Sequence, residues 1–121
     1  MGYSISLSEN KKYIICRVNG KITRDVARQF TGELDRLSRS HKIKRFLTDV
    51  RDAQNALSTF EKYDFAYKDM AEMDLQRDVR SAVLVGETDK THDFVATVTQ
   101  NAGYGVRIFH DEDTAIEWLN E

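Results

Sequence analysis

Apolar and polar positions alternate from Tyr3 to Ser8 (YSISLS), the period of a half-buried β-strand. A polar stretch, Glu9-Asn10-Lys11-Lys12, separates it from a second such run, Tyr13 to Asn19 (YIICRVN). So short a connection allows a hairpin and not a crossover, so these strands are expected to be antiparallel. In the second run Ile14, Cys16 and Val18 share one face while Tyr13 and Ile15 load the other, the mark of a strand covered on both sides. The period then changes. Past Gly20-Lys21-Ile22, Thr23 is a candidate N-cap, with Asp25 in the first turn. Val26, Phe30, Leu34 and Leu37 recur every three or four residues, predicting an amphipathic helix to about Arg39.

Ile43 to Val50 (IKRFLTDV) reads as a buried strand, followed by Arg51-Asp52. Ser58 and Glu61 have capping-box spacing ahead of a second helix near Thr59 to Met73. At α-helical spacing Phe60, Tyr63, Ala66, Tyr67, Met70 and Met73 fall on one wide stripe, and Phe65 falls on the opposite, charged side. Arg80 to Gly86 (RSAVLVG) is an apolar run suited to a parallel sheet. Asp89 is a candidate cap for a third helix with inner face Val95, Val98 and Ala102, stopped at Gly103. Val106 to Phe109 is a fifth strand, and Asp111 caps a last helix whose core face is Ala115, Trp118 and Leu119. The order β-β-α-β-α-β-α-β-α predicts an α/β fold. Its five-stranded, mostly parallel sheet carries an N-terminal antiparallel hairpin.

Composition fits one domain over residues 1–121, with 40% hydrophobic and 31% charged residues. No apolar run is long enough to span a bilayer. A single cysteine gives no internal disulfide, and a cytoplasmic setting is the expectation. The net charge of −2 hides a division. Residues 1–50 carry 11 basic and 5 acidic side chains, and residues 51–121 carry 7 and 15. If folding keeps those halves apart, opposite faces would steer a charged partner or pair two copies.

The strand ending FLTDVRD, the strand RSAVLVG and the closing VRIFHDEDTAIEWLNE resemble the STAS/SpoIIAA-like superfamily, in particular its small stand-alone bacterial domains. Val106, Phe109, Asp111, Ala115, Trp118 and Leu119 match that branch's closing pattern. The resemblance implies a βα superhelix related to the lipid-carrying SEC14 (CRAL-TRIO) fold. It also implies either an anti-sigma-factor antagonist switched by phosphorylation, or an interaction module with a lipophilic ligand. Asp49 matches the aspartate ending the strand before the switch. The helix then opens with Ala56-Leu57-Ser58-Thr59-Phe60 and has no D-S-[ST]-G motif, so Ser58 and Thr59 only lie near the switch position.

Ligands of open α/β sheets lie beyond the carboxyl ends of the strands. That edge is expected to collect Asp49, Arg51, Asp52, Thr88 and His110. Asp49, Arg51 and His110 form a conceivable acid–base set, against which stands mutual pairing of Asp49 with Arg51. No serine or cysteine nucleophile neighbours a histidine in a known motif, and His41, His92 and His110 lack metal-ligand spacing. Cys16 reads as a core residue. Arg36, Arg39, Lys42, Lys44 and Arg45 cluster after the first helix, but lack interleaved aromatics, and read as dipole compensation rather than a nucleic-acid site.

Phe60, Tyr63, Phe65, Tyr67, Met70 and Met73 are therefore the candidate ligand or partner surface. Tyrosines keep polar tips that need water or a partner, and methionines suit variable surfaces. The sequence points to a binding module without cofactor or metal, holding a lipophilic small molecule or a protein partner there, with homodimerisation through the same helix. A phosphoswitch at Ser58 or Thr59 is the first alternative, and an enzyme using Asp49, Arg51 and His110 the second.

Overall fold

A computed structural model describes residues 2–121. The elements are β1 (Tyr3–Leu7), β2 (Ile14–Ile22), α1 (Arg24–His41), β3 (Arg45–Asn55), and a second helix in three parts. Those parts are α2 (Thr59–Asp64), a π-helical turn (Phe65–Asp69) and α3 (Met70–Glu72). After them come β4 (Arg80–Leu84), α4 (Asp93–Asn101), β5 (Val106–Phe109) and α5 (Glu112–Leu119). The strands lie in sequence order, β1-β2-β3-β4-β5. β1 is antiparallel to β2, and every other pair is parallel. The α/β architecture and its hairpin are those the periodicity implied.

Right-handed crossovers between strands laid down in one direction place α1, the second helix and α4 on the same face of the sheet. Ile14, Cys16, Val18, Phe46, Val50 and Val85 form the core there with Leu34, Phe65 and Met70. On the other face Tyr13, Leu47, Ala82, Leu84 and Phe109 pack against Ala115 and Leu119 of α5 alone. β2 is thus covered on both sides. Cys16 is fully buried, and burial pushes its thiol up to about 12. In native protein at pH 8 we therefore expect no alkylation of Cys16 by iodoacetamide until denaturant exposes it; labelling as fast as free thiol would contradict this.

Local signals set most boundaries. Thr23 accepts from Val26 N–H, and Lys42 ends α1 in the left-handed conformation. The Ser58–Glu61 capping box is complete in both directions. Gly103, with φ +97°, ends the α4 segment. Replacing Ser58 with alanine is expected to remove about 1 kcal/mol, read as a shifted urea midpoint.

Two expectations need correction. Asp89 does not cap α4, which starts at Asp93 after an N-cap residue, His92, that makes no side-chain cap bond. The Asp89 carboxylate instead closes a local turn on Thr91. β3 also continues past Val50 to Asn55, because β2 runs beside it to Ile22 and supplies the ladder. β4 pairs with β3 only as far as Asp49. The last residues of β2 and β3 therefore rise as a two-stranded ribbon above the carboxyl edge of the sheet, with Asn55 at its tip.

Candidate functional site: a cavity roofed by the second helix

The second helix packs chiefly against α4 rather than against a strand. An apolar cavity of about 190 Å³ remains between it, α1, α4 and the sheet. Phe46, Thr48 and Val50 of β3 form part of the floor, with Val83 of β4 and Ile108 of β5. From Phe46 to Val50 is a run of about 13 Å along the strand, so the space is elongated. Phe65 and Met70 close it from above, and Phe30, Leu34 and Val95 from the sides.

The orientation of this roof departs from the sequence reading. Phe60, Tyr63 and Tyr67 face outward, 70%, 52% and 44% exposed, while Phe65 faces inward and is 7% exposed. Met70 lines the cavity, and Met73 is half-buried, its methyl reaching toward Gly32 of α1. Phe65 therefore belongs to the core and not to a charged outer face. An α-helical wheel misplaces it for two physical reasons. The Phe65–Asp69 turn is π-helical, which changes the angular step within the stripe. A buried carboxylate also decides which side turns inward.

That carboxylate is Asp69, 1% exposed. Arg24 meets it with two bonds, Nε to Oδ2 at 2.7 Å and Nη2 to Oδ1 at 2.8 Å. Arg28 adds a contact of 2.8 Å, and Arg24 also reaches Asp64 at 3.0 Å. The bond from Arg24 is the main reason that the Asp69 carboxyl lies below its ordinary range. Sequence reasoning singled out none of the three. The signal available was Arg24 and Arg28 one turn apart on α1, with Asp69 one turn from both Phe65 and Met73.

At the carboxyl edge the cavity lining becomes polar at Asn55 and His92. Burial pushes the His92 imidazole below its ordinary value, outweighing the nearby Asp89. Asp49 and Arg51 lie on the other face of the sheet, that of Leu47 and α5. Arg51 binds Asp49 through Nε at 3.0 Å, Nη2 at 2.9 Å and its own N–H at 3.1 Å. Arg17 adds a bond of 2.5 Å to Asp49, and Arg51 a second of 2.8 Å to Glu112. Burial raises the Asp49 carboxyl, but the bonds from Arg51 and Arg17 outweigh it and hold it low. His110 instead contacts the Gly86 carbonyl at 3.2 Å, and among the described residues makes no hydrogen bond to Asp49 or Arg51. Asp52 and Thr88 are exposed. The structure thus joins Asp49 to Arg51 and leaves the other three apart. Ser58 and Thr59 are exposed at the start of α2, with Ser58 Oγ engaged by Glu61 N–H.

The family model described as SpoIIAA-like matches residues 13–120. The chain belongs to the SpoIIAA-like family. Among solved structures, this SpoIIAA-like chain is similar to an uncharacterised protein of Shewanella loihica with a SpoIIAA-like fold. They share 20% identity over 97% of this chain and 91% of that one, with a TM-score of 0.61. It is also similar to the anti-sigma factor antagonist SpoIIAA in its unphosphorylated form, at 11% identity over 98% and 97% of the two chains, TM-score 0.60. At those identities the likeness concerns the fold. A search of the curated proteins gives no match. Among the described residues, no helix is long and apolar enough to cross a membrane, and no group of three or more His, Cys, Asp or Glu side chains is placed to hold a metal ion.

Proposed function

We propose that this SpoIIAA-like domain is a non-enzymatic binding module that holds a small lipophilic molecule in the cavity beneath its second helix. The observation that carries this reading is the cavity itself. It is lined mainly by aliphatic and aromatic side chains, beneath a helix that stands off the sheet. Asp49 and Arg51 support a non-catalytic reading, since each is committed to ion pairs that orient α5 against the sheet. The outer face of the same helix carries Phe60, Tyr63 and Tyr67, with Phe94 of α4 also exposed, and Tyr63 and Tyr67 stack at 4.7 Å. We assign this face to a protein partner, with a second copy as the first candidate, and the setting to the cytoplasm.

Native mass spectrometry of extracted ligands, combined with chemical-shift mapping using alkylbenzenes and fatty acids, tests the cavity. Shifts confined to Phe65, Met70, Val95 and their neighbours are expected. The reading fails if every probe leaves these residues unmoved. Sedimentation of wild type against Phe60→Ser tests the outer face, with a lower mass expected for the variant. The phosphoswitch is supported by the exposure of Ser58 and Thr59, and absence of modification at both by co-encoded kinases would remove it.

A further inference from the structure

Among the described residues no lysine or arginine lines the cavity, and the one carboxylate in its lining, Asp35, is already engaged. Asp35 Oδ2 accepts from Arg39 Nε at 2.8 Å, and Oδ1 accepts from the Gln76 N–H at 3.3 Å. Burial pushes the His92 imidazole below its ordinary value, so the ring is neutral at pH 7. The lining therefore offers an occupant no positive charge. A carboxylate drawn wholly inside would lie unpaired, which costs more than its apolar contacts return.

The floor carries neutral polarity instead. Thr48 of β3 and Ser81 of β4 both line the cavity, and their register partners, Val83 and Phe46, line it too. Thr48 is 7% exposed, and its hydroxyl makes no hydrogen bond among the described residues. The one sealed and unpartnered side-chain polar atom among those residues is His92 Nε2, so the Thr48 oxygen is open to space. On this face of β3 that space is the cavity. Thr99 of α4, another lining residue, shows the contrast, because its hydroxyl donates to the Val95 carbonyl at 2.8 Å. A helix leaves such a carbonyl within reach of a threonine, whereas a strand commits its carbonyls to the ladder in the plane of the sheet. Thr48 thus holds an unmet donor midway between Phe46 and Val50, at the middle of the floor.

We propose that the Thr48 hydroxyl is the recognition point of the cavity, and that the ligand is a neutral carbonyl compound whose oxygen accepts from Thr48 Oγ1 while its apolar body fills the space. The inference rests on the reading of the cavity as a ligand site. A carbonyl oxygen only accepts, so its bond to Thr48 leaves no ligand proton unmet in apolar surroundings. An alcohol would bring a donor of its own, and a hydrocarbon would leave Thr48 without a partner. Engineered apolar cavities of about 150 Å³ hold benzene, so about 190 Å³ suits one ring with a short branch.

Acetophenone, isopropylbenzene and benzoate have nearly one shape and separate these chemistries when titrated by NMR into the full chain at pH 7. Their hydration differs, so each is compared between wild type and Thr48→Val, which keeps the shape of the side chain and removes its hydroxyl. Acetophenone is expected to lose about fivefold in affinity in the variant, while isopropylbenzene stays within about twofold. In wild-type protein benzoate is expected to bind at least about 100-fold more weakly than acetophenone. Equal responses of acetophenone and isopropylbenzene to Thr48→Val overturn the assignment of Thr48 and leave the cavity reading standing. Benzoate binding as tight as that of acetophenone overturns the neutral class, a result read from wild type alone and so independent of how the variant folds. No shift at Phe65, Met70 or Val95 with any of the three probes overturns both.

Discussion

Asp69→Asn is expected to destabilise the protein by about 2–4 kcal/mol and to loosen the second helix before the rest of the fold. Breaking a buried ion pair from one side removes about 3–5 kcal/mol. The expected loss sits at the lower end because the side chains of Arg24 and Arg28 are 31% and 39% exposed and turn to water when their partner goes. Hydrogen exchange separates the local effect from the global one. Amides of α2, the π-helical turn and α3 should gain far more in exchange rate than those of β3 and β4. A variant within about 0.5 kcal/mol of wild type in urea would show that the Arg24–Asp69–Arg28 cluster does not hold the helix.

The same carboxylate gives a pH dependence with a definite sign. Bonds from Arg24 hold Asp69 below the ordinary carboxyl value of 3.8. Its contribution is complete above about pH 4, where the carboxyl of the unfolded chain is ionised, and drains away as pH falls through the lower folded value. Asp49 shifts in the same direction, through Arg51 and Arg17, and adds to the loss. Wild type and Asp69→Asn should therefore differ most near neutrality and converge in acid. A gap that widens below pH 4 would contradict the assignment.

Val83→Phe is expected to abolish ligand binding while leaving the protein folded. Val83 is half-buried, on the cavity floor at the centre of the sheet. Larger side chains placed in a close-packed core destabilise by about 1–3 kcal/mol, but here the added ring enters space that is already open. Alkylbenzene affinity should fall by at least about 100-fold, close to 2.7 kcal/mol, with thermal stability unchanged or raised. Leu84→Ala serves as the control. Its side chain points to the opposite face and is fully buried, so about 2–5 kcal/mol of stability is lost with no change at the cavity. Undiminished binding in Val83→Phe would place the ligand elsewhere.

Short-range chemistry made most of the fold legible. Alternation located the hairpin, Thr23 and the Ser58–Glu61 pair marked helix starts, and Gly103 marked an end. Each of these signals acts within a few residues of itself. What was illegible depends on partners far along the chain. The inward side of the second helix is decided by Asp69 meeting Arg24, 45 positions earlier, and no local period contains that bond. β3 runs to Asn55 only because β2 lies beside it. The buried setting of His92 involves Asn55, 37 positions earlier in the chain. The charge division also looked different in sequence than in space. Basic residues of the first half pair with acidic residues of the second, as in Arg17–Glu112, Arg24–Asp69, Arg28–Asp69 and Lys44–Asp78. Folding mixes the two halves rather than setting them on opposite faces.

α5 has a consequence for the order in which the protein is made. Among the described residues it is the one helix on its side of the sheet, and it follows all five strands in the chain. A ribosome that has delivered β1 through β5 has produced a sheet with Leu47, Ala82, Leu84 and Phe109 still open to solvent on that side. The three helices of the other layer are by then available to fold, so the growing chain is one-sided until Ala115 and Leu119 emerge. A fragment stopping at His110 should accordingly be soluble only with a chaperone, and adding α5 as a separate peptide should restore it.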